Sequence, residues 1–276
     1  MRSFIESLGV TVQANVKLLD GKEIDIWLPE LKLGFEFHGL FWHNDLRVER
    51  NYHVNKLTIA NTNNITLIQI FEDEWDHHPE IVKSRIRYLL GQIPTKLFAR
   101  QCVIKEVDYA VEKEFLDKHH IQGHSKSSVK VGLYHNNLLI SLMTFSKPNL
   151  SKGLKKRPGW WELLRFCSQT NTTVVGGANK MFKYFISTYS PEGVLSFADS
   201  RWSKGMVYNQ LGFTANGHTG PNYWYINLKE GKRIHRFALR KNKNDDQSLS
   251  EADNRRMQGY LRIWDCGSSK WTWTKK

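Results

Sequence analysis

Cysteine is scarce in this chain. Cys102, Cys167 and Cys266 are its three cysteines in 276 residues, and they lie far apart without a CxxC pair. That spacing argues against a disulfide framework and a sulfur-rich zinc site, and it suits a reducing cytosol. Long apolar runs are absent too: none approaches the roughly 18 to 20 residues that cross a bilayer. The opening MRSFIESLGV lacks the apolar stretch and small-residue cleavage site of a signal peptide, so a cytoplasmic location is expected. There is no internal repeat.

Acidic residues are short as well, but unevenly. The formal net charge is +13. Residues 1–94 carry 10 Lys and Arg against 13 Asp and Glu, whereas the remainder carries 30 against 14. Such asymmetry predicts that the C-terminal part grips a polyanion while the N-terminal part does something else. The hydrophobic content of 40% and aromatic content of 12% are globular values, enough for one large domain or two ordinary ones.

The pattern along the chain predicts a helix over residues 1–9, then strands over 10–19 and 24–29 around the Asp20-Gly21 turn. A third strand covers LGFEFHG, a helix follows over 44–61, and ITLIQIFEDEW reads as a further strand. Pro79 opens a helix that Gly91 closes. The charge balance changes sign at GQIPTK, which predicts one domain over residues 1–94 and a second over 95–276. The second opens with a strand at QCVIKEV and a helix at AVEKEFLDKHH. VKVGLYHNNLLISLMTF follows as a hairpin turning at Asn-Asn. WWELLRFCS and VLSFADSRWS read as strands on either side of VVGGANKMFKYFISTY, a glycine turn leading into a helix. The expected class is α/β (α+β): a mixed sheet flanked by helices, then a second α+β domain.

IDIWLPELKLGFEFHGLFWH, residues 24–43, places acids and histidines on strands that otherwise read as buried. An unpartnered buried charge is costly, so these residues should be paired or gathered around a metal. Alternation puts Glu36 and His38 on one face of their strand, and Asp25 joins them if the neighbouring strand pairs. Two carboxylates and the Phe37 backbone carbonyl form a hard oxygen set suited to Mg²⁺ or another divalent ion. Such an ion can activate water and neutralise charge in phosphodiester hydrolysis. His43 is a candidate proton carrier, with His38 orienting water or phosphate. A pair of strands with a solvated polar face is the plain alternative.

IDI and FEFHGLFWH together resemble the core of the very-short-patch-repair (Vsr) endonucleases and, still more, phage homing endonucleases built on that core. The resemblance implies a restriction-endonuclease-like PD-(D/E)XK fold and an Mg²⁺-dependent, site-specific endodeoxyribonuclease in a bacterial host cytoplasm. It assigns the active site to Asp25, the Phe37 main chain and His43, and the IFEDEW strand adds Glu72. Leu40 stands where the repair enzymes have a zinc-binding cysteine, so no structural zinc is expected. Only Glu6 is available for the glutamate that homing enzymes carry on an N-terminal helix.

The basic runs supply expected contacts to double-stranded DNA: Lys83, Arg85 and Arg87, then Lys155, Lys156, Arg157 and Trp160, then Lys232, Arg233, Arg236, Arg240 and Lys241. Cations release counterions from phosphates, and aromatic rings stack on bases. Residues 96–228 are also similar to the GNAT acyltransferase fold, through VVGGANKMFKYF, WWELLRFC and YNQLGF. The glycines could cradle a pyrophosphate or merely permit a tight turn. Asp199, Arg201 and Trp202 could line a site or close a strand. The expected function is therefore DNA cleavage. The alternatives are acylation of a nucleobase or DNA binding without catalysis.

Overall fold

The computed structural model describes residues 1–148 and 157–275. It is a mixed α/β protein whose chain divides into two compact, interleaved units. Unit 1 contains residues 1–78, 199–202 and 219–268; unit 2 contains 79–198, 203–218 and 269–276. The sequence boundary at residue 94 is a single cut, whereas the chain enters unit 1 three times.

Unit 1 starts with α1 (Arg2–Glu6), β1 (Gln13–Leu19), β2 (Lys22–Leu28), β3 (Leu33–His38), α2 (Tyr52–Thr62), β4 (Thr66–Phe71) and α3 (Glu72–His77). The four strands form a sheet in the order β1-β2-β3-β4. Asp20 and Gly21, with φ of 51° and 82°, make the tight turn between β1 and β2. β3 runs antiparallel to β2 and parallel to β4, in register from Leu33 opposite Thr66 to His38 opposite Phe71. α2 buries His53, Lys56, Leu57 and Ala60, spaced as one face of a helix. Leu57 and Ala60 join Leu19, Ile24, Trp27 and Leu67 in the core.

Two boundaries differ from the sequence expectation for local reasons. The helix expected from residue 44 starts at Tyr52, because Asn44 is buried and ties down a turn instead. Its side chain donates to the Phe41 carbonyl and accepts from the Leu46 N–H, an option that competes with helix. The strand expected through EDEW stops at Phe71, whose N–H donates to Glu74 Oε2 at 3.0 Å. Three acids in the first turn then favour α3 at its positive end.

Unit 2 comprises α4 (Pro79–Leu89), β5 (Thr95–Phe98), β6 (Val103–Glu106), α5 (Tyr109–His119), β7 (Val129–His135), β8 (Leu138–Ser146), β9 (Trp160–Ser168), β10 (Thr172–Val175), α6 (Gly177–Tyr189), β11 (Gly193–Asp199), α7 (Met206–Gln210), β12 (Thr214–His218) and β16 (Ser268–Thr274). Its seven-stranded sheet runs β12-β16-β11-β9-β8-β7-β6, and β5 and β10 form a separate parallel pair. Asn136 and Asn137 both have positive φ, making the expected hairpin turn. β9 and β11 are parallel neighbours joined through α6, and their ladder stops at Leu163 and Ser196 although both strands continue. The core gathers Val131, Leu133, Met143, Phe145, Phe182 and Phe185, with the Phe145 and Phe185 rings stacked at 3.6 Å.

Residues 219–268 return to unit 1 as β13 (Tyr223–Asn227), β14 (Lys232–His235), α8 (Glu251–Met257) and β15 (Leu261–Trp264). The three strands form an antiparallel sheet in the order β14-β13-β15. Ile226 and Ile263 pack with Leu40 and Phe71, which backs the end of β4. Among the described residues, no helix is long and apolar enough to cross a membrane.

Candidate functional site: a buried histidine cluster beside paired carboxylates

The end of β3 leads into a tight turn in which the Trp42 and His43 N–H groups both donate to the Gly39 carbonyl. Glu72 Oε2 accepts from the Leu40 N–H at 2.8 Å and fixes the turn from α3. His43 is thereby turned back toward His38 on β3 and His53 on α2. Ring centroids lie 4.2 Å apart for His38–His43, 4.3 Å for His38–His53 and 5.1 Å for His43–His53. One ring nitrogen from each histidine lies within 4.8 Å of the other two. His43 Nδ1 and His53 Nε2 are 2.9 Å apart, so one donates to the other.

Gln69 on β4 settles the protonation of His38. Its amide nitrogen donates to the His53 carbonyl at 3.0 Å, so its oxygen faces His38 Nε2 at 2.8 Å as acceptor. The proton of His38 is therefore on Nε2, and Nδ1 carries a lone pair that is buried without a hydrogen-bond partner. Burial holds all three rings neutral at ordinary pH. His38 lies well below the usual histidine range through burial, then through its neighbours His53 and His43. His43 is lowered to about 4 by burial and then Lys56, and His53 to about 3 by burial and then His43.

The carboxylates stand beside this cluster. Asp25 Oδ2 accepts the Phe37 N–H at 2.7 Å where β2 and β3 pair. Glu36 Oε2 is paired with Lys56 from α2, and both side chains are buried. Burial and then Asp25 push the Glu36 carboxyl up to about 7, with Lys56 opposing. Asp25 is also raised by burial, against the Phe37 N–H and Lys56. Asp25 and Phe37 line a shallow cavity of about 360 Å³ with Met1, Arg2, Asn15 and Trp75.

The structure thus brings Asp25, Glu36, His38 and His43 into one neighbourhood, with Glu72 holding the turn. Glu6 is exposed and paired with Arg2. Sequence reading missed His53, Lys56 and Gln69. A signal for the first two was present, since both lie on the buried stripe of α2 with Leu57 and Ala60.

Several expected DNA contacts are otherwise engaged. Arg233 is buried against Asp73 and Glu74, both at 2.8 Å. Lys241 Nζ donates to the Gln247 and Leu249 carbonyls. Arg87 donates to Asn171, Lys83 to Glu80, and Arg85 is half-buried near His120. Arg236 and Arg240 remain beside Tyr223, Phe237 and Glu251 around a groove of about 240 Å³. Lys232 is exposed beside Glu230, and the Arg157 guanidinium lies 4.8 Å from the centre of the Trp160 ring. Lys155 and Lys156 lie outside the described residues. Asp199 and Arg201 close a buried ionic network: Arg201 reaches Glu74 at 2.9 Å and Asp199 at 2.7 Å. Burial alone would raise Glu74, but Arg201 and then Arg233 hold its carboxyl down to about 2.

No family model and no curated protein matches this chain. Similar solved structures are acetyltransferases. The ribosomal-protein-S18-alanine N-acetyltransferase of Escherichia coli is 8% identical, with TM-score 0.37, over 63% of this chain and 93% of that one. A Bacillus subtilis acetyltransferase in complex with CoA is 7% identical, with TM-score 0.37, over 63% and 99%. A GNAT-family acetyltransferase of Bacillus cereus is 14% identical, with TM-score 0.34, over 63% and 98%. At these values the likeness assigns neither a family nor an activity.

The nuclease expectation is corrected. The similar structures just named are acetyltransferases rather than endonucleases, and nothing found supports a Vsr-like, homing or PD-(D/E)XK hydrolase with Mg²⁺. The side chains give a physical reason. Glu36 is committed to Lys56, Asp25 meets Phe37 through the amide N–H, and Glu72 is spent on the Leu40 amide. The histidines face one another and Gln69.

Proposed function

We propose that this chain is a double-stranded-DNA-binding protein whose unit 2 supplies the main contact. The observation that carries this reading is the division of charge. Unit 2 holds 22 Lys and Arg against 8 Asp and Glu, while unit 1 holds 18 against 19. A polyanion with closely spaced phosphates is the partner that rewards such an excess, by releasing its condensed counterions. Aromatic rings accompany the cations: Arg100 lies 5.2 Å from the centre of the Phe98 ring, and Lys105 lies 5.2 Å from that of Tyr134. Unit 1 adds exposed Phe41 and Trp42, with Arg47 at 4.1 and 4.6 Å from their centroids. Such a group can stack on bases or wedge between them.

The test is fluorescence anisotropy of the full chain with labelled duplex DNA between roughly 50 and 200 mM salt. The expected plot of log affinity against log salt falls steeply, by about 0.9 for each phosphate neutralised. Absence of binding at the lowest salt, or a flat plot, rules the reading out.

A specific feature favours a second reading, acyl transfer from a thioester such as acetyl-CoA to a nucleobase amine. Parallel neighbours β9 and β11 part beyond Leu163 and Ser196, and ligands favour the crevice at the carboxyl ends of such strands. The Tyr208 hydroxyl lies 3.0 Å from Ser196 Oγ at that point, and burial raises its pKa, so it stays protonated. A protonated phenol there can deliver a proton to the departing thiolate. The N-terminus of α6, after exposed Gly176, offers N–H groups to a phosphate. Acetyl-CoA should then raise the melting temperature of unit 2, and no shift at saturating CoA and acetyl-CoA removes this reading.

A further inference from the structure

The histidine cluster of unit 1 has a use that DNA binding does not require. We propose that His38, His43 and His53 bind one divalent transition-metal ion of the zinc class. Three imidazoles converge with a nitrogen of each within 4.8 Å of the others. Imidazole donors suit zinc, copper or nickel, whereas magnesium selects oxygen. This is therefore a different site from the carboxylate set that the sequence suggested.

The surroundings match what metal-binding histidines need. Such a ligand commonly donates its second N–H to an oxygen acceptor, which fixes the ring and its tautomer. Gln69 does this for His38, and is itself held by the His53 carbonyl. The result is a buried, unpartnered lone pair on His38 Nδ1. A core acceptor without a partner asks for an explanation, and a metal ion supplies one. The bond between His43 and His53 is of the kind that an incoming cation replaces, because one of the two nitrogens already carries a lone pair. His43 is half-buried, which leaves an approach from solvent. Lys56 and, at His53, Arg201 are cations that oppose the ion, and Glu36 pairs with Lys56. Three protein ligands leave a coordination position for water or an external donor.

The experiment uses the full chain, stripped with chelator and dialysed. Zn²⁺ is titrated by calorimetry and Co²⁺ by visible absorption, while the histidine ring nitrogens are followed by ¹⁵N NMR. The expected result is one ion per chain, tetrahedral Co²⁺ bands, and zinc-dependent shifts of three histidine rings. His43→Asn and His53→Gln should abolish that stoichiometric event, and Gln69→Leu should weaken it roughly 10- to 100-fold. Exposed His77→Ala and His78→Ala should leave it unchanged. Circular dichroism checks that each variant is folded. Should the buried variants fail to fold, the wild-type ring shifts and His43→Asn still decide. Unshifted rings in the folded wild type overturn the assignment. So does binding that survives in His43→Asn.

Discussion

The two units keep their charges in opposite places. Unit 1 buries Glu36, His38, His53, Lys56, Asp73, Glu74, Arg201, Asp245 and Arg255. Most of them are matched: Glu36 with Lys56, Glu74 and Asp199 with Arg201, and Asp245 with Arg255. Unit 2 buries hydrocarbon, with serines, one threonine and the acids Glu112 and Glu162 as its buried polar residues among those described. Among the described residues, the lysines and arginines of unit 2 are half-buried or exposed. The lesson concerns composition. Nearly equal counts of acid and base in unit 1 accompany pairs made inside the fold, whereas unit 2 holds too few acids to pair its bases. Charge paired internally confers specificity of arrangement, because its geometry must be met for the group to be buried at all.

The comparison breaks most sharply at Arg201. Arg201→Met leaves Asp199 without its cation and Glu74 with Arg233 alone, and breaking such a buried pair costs about 3–5 kcal/mol. Hydrogen exchange read on β4 and β13 should rise well before exchange on β7 and β8 does. Glu74→Gln added to the same chain should recover part of the loss, because one uncompensated charge disappears with it. In unit 2 the corresponding probe is Phe185→Leu, which ends the stack on Phe145. It should cost roughly 1–2 kcal/mol, with protection lost on β7 and β8 instead. Equal exchange in both places after either substitution would dissolve the contrast.

Much of unit 1 was legible because short-range rules govern it. The Asp20-Gly21 turn joins β1 to β2, and the two-residue period of β2 and β3 puts Asp25 and Glu36 on one face once those strands pair. What could not be read was which groups would answer them. Lys56 and Gln69 come from α2 and β4, and their choice of partner depends on how a helix crosses a sheet. His53 was readable in principle, since a histidine one turn before Lys56 and Leu57 shares their buried face. The interleaving of units was not, because nothing in the hydropathy of residues 199–202 or 219–268 says which core they join. The FEDEW segment shows the reverse error. Its apolar start reads as strand, yet Glu74 reaches back to the Phe71 amide and turns the acids into a helix start. The resemblance at HGLFWH implied an endonuclease, a reading that nothing found supports.

Surface substitutions sharpen the other half of the contrast. Lys96 and Arg100 are exposed beside Phe98 in unit 2. Changing both to Gln should leave thermal stability nearly unchanged and reduce the steepness of the salt plot for duplex DNA by roughly 1–2. An unaltered slope would move the contact elsewhere on the chain. The same exchange at Arg255, buried against Asp245, should instead lower stability.

The smallest effect is expected from acid. Burial and then Lys118 lower His119 to about 4, and its Nδ1 accepts the Thr170 N–H at 3.2 Å. Protonating Nδ1 would remove that acceptor, so the folded state takes up the proton less readily than the unfolded chain. The unfolded chain binds more protons below about pH 6.5, and stability must fall as the solution is acidified toward 4. This contribution is fully present above pH 6.5. His119→Gln, with no titrating ring, should flatten that part of the melting curve for unit 2 while leaving the neutral-pH melting temperature close to that of the parent. Because His119 is half-exposed, solvent screening makes the expected change modest, a few tenths of a kcal/mol on the order of a surface interaction. A variant that retains the full acid sensitivity of unit 2 would place the titrating group elsewhere, with His120 the next to test because burial and then Arg165 lower it as well.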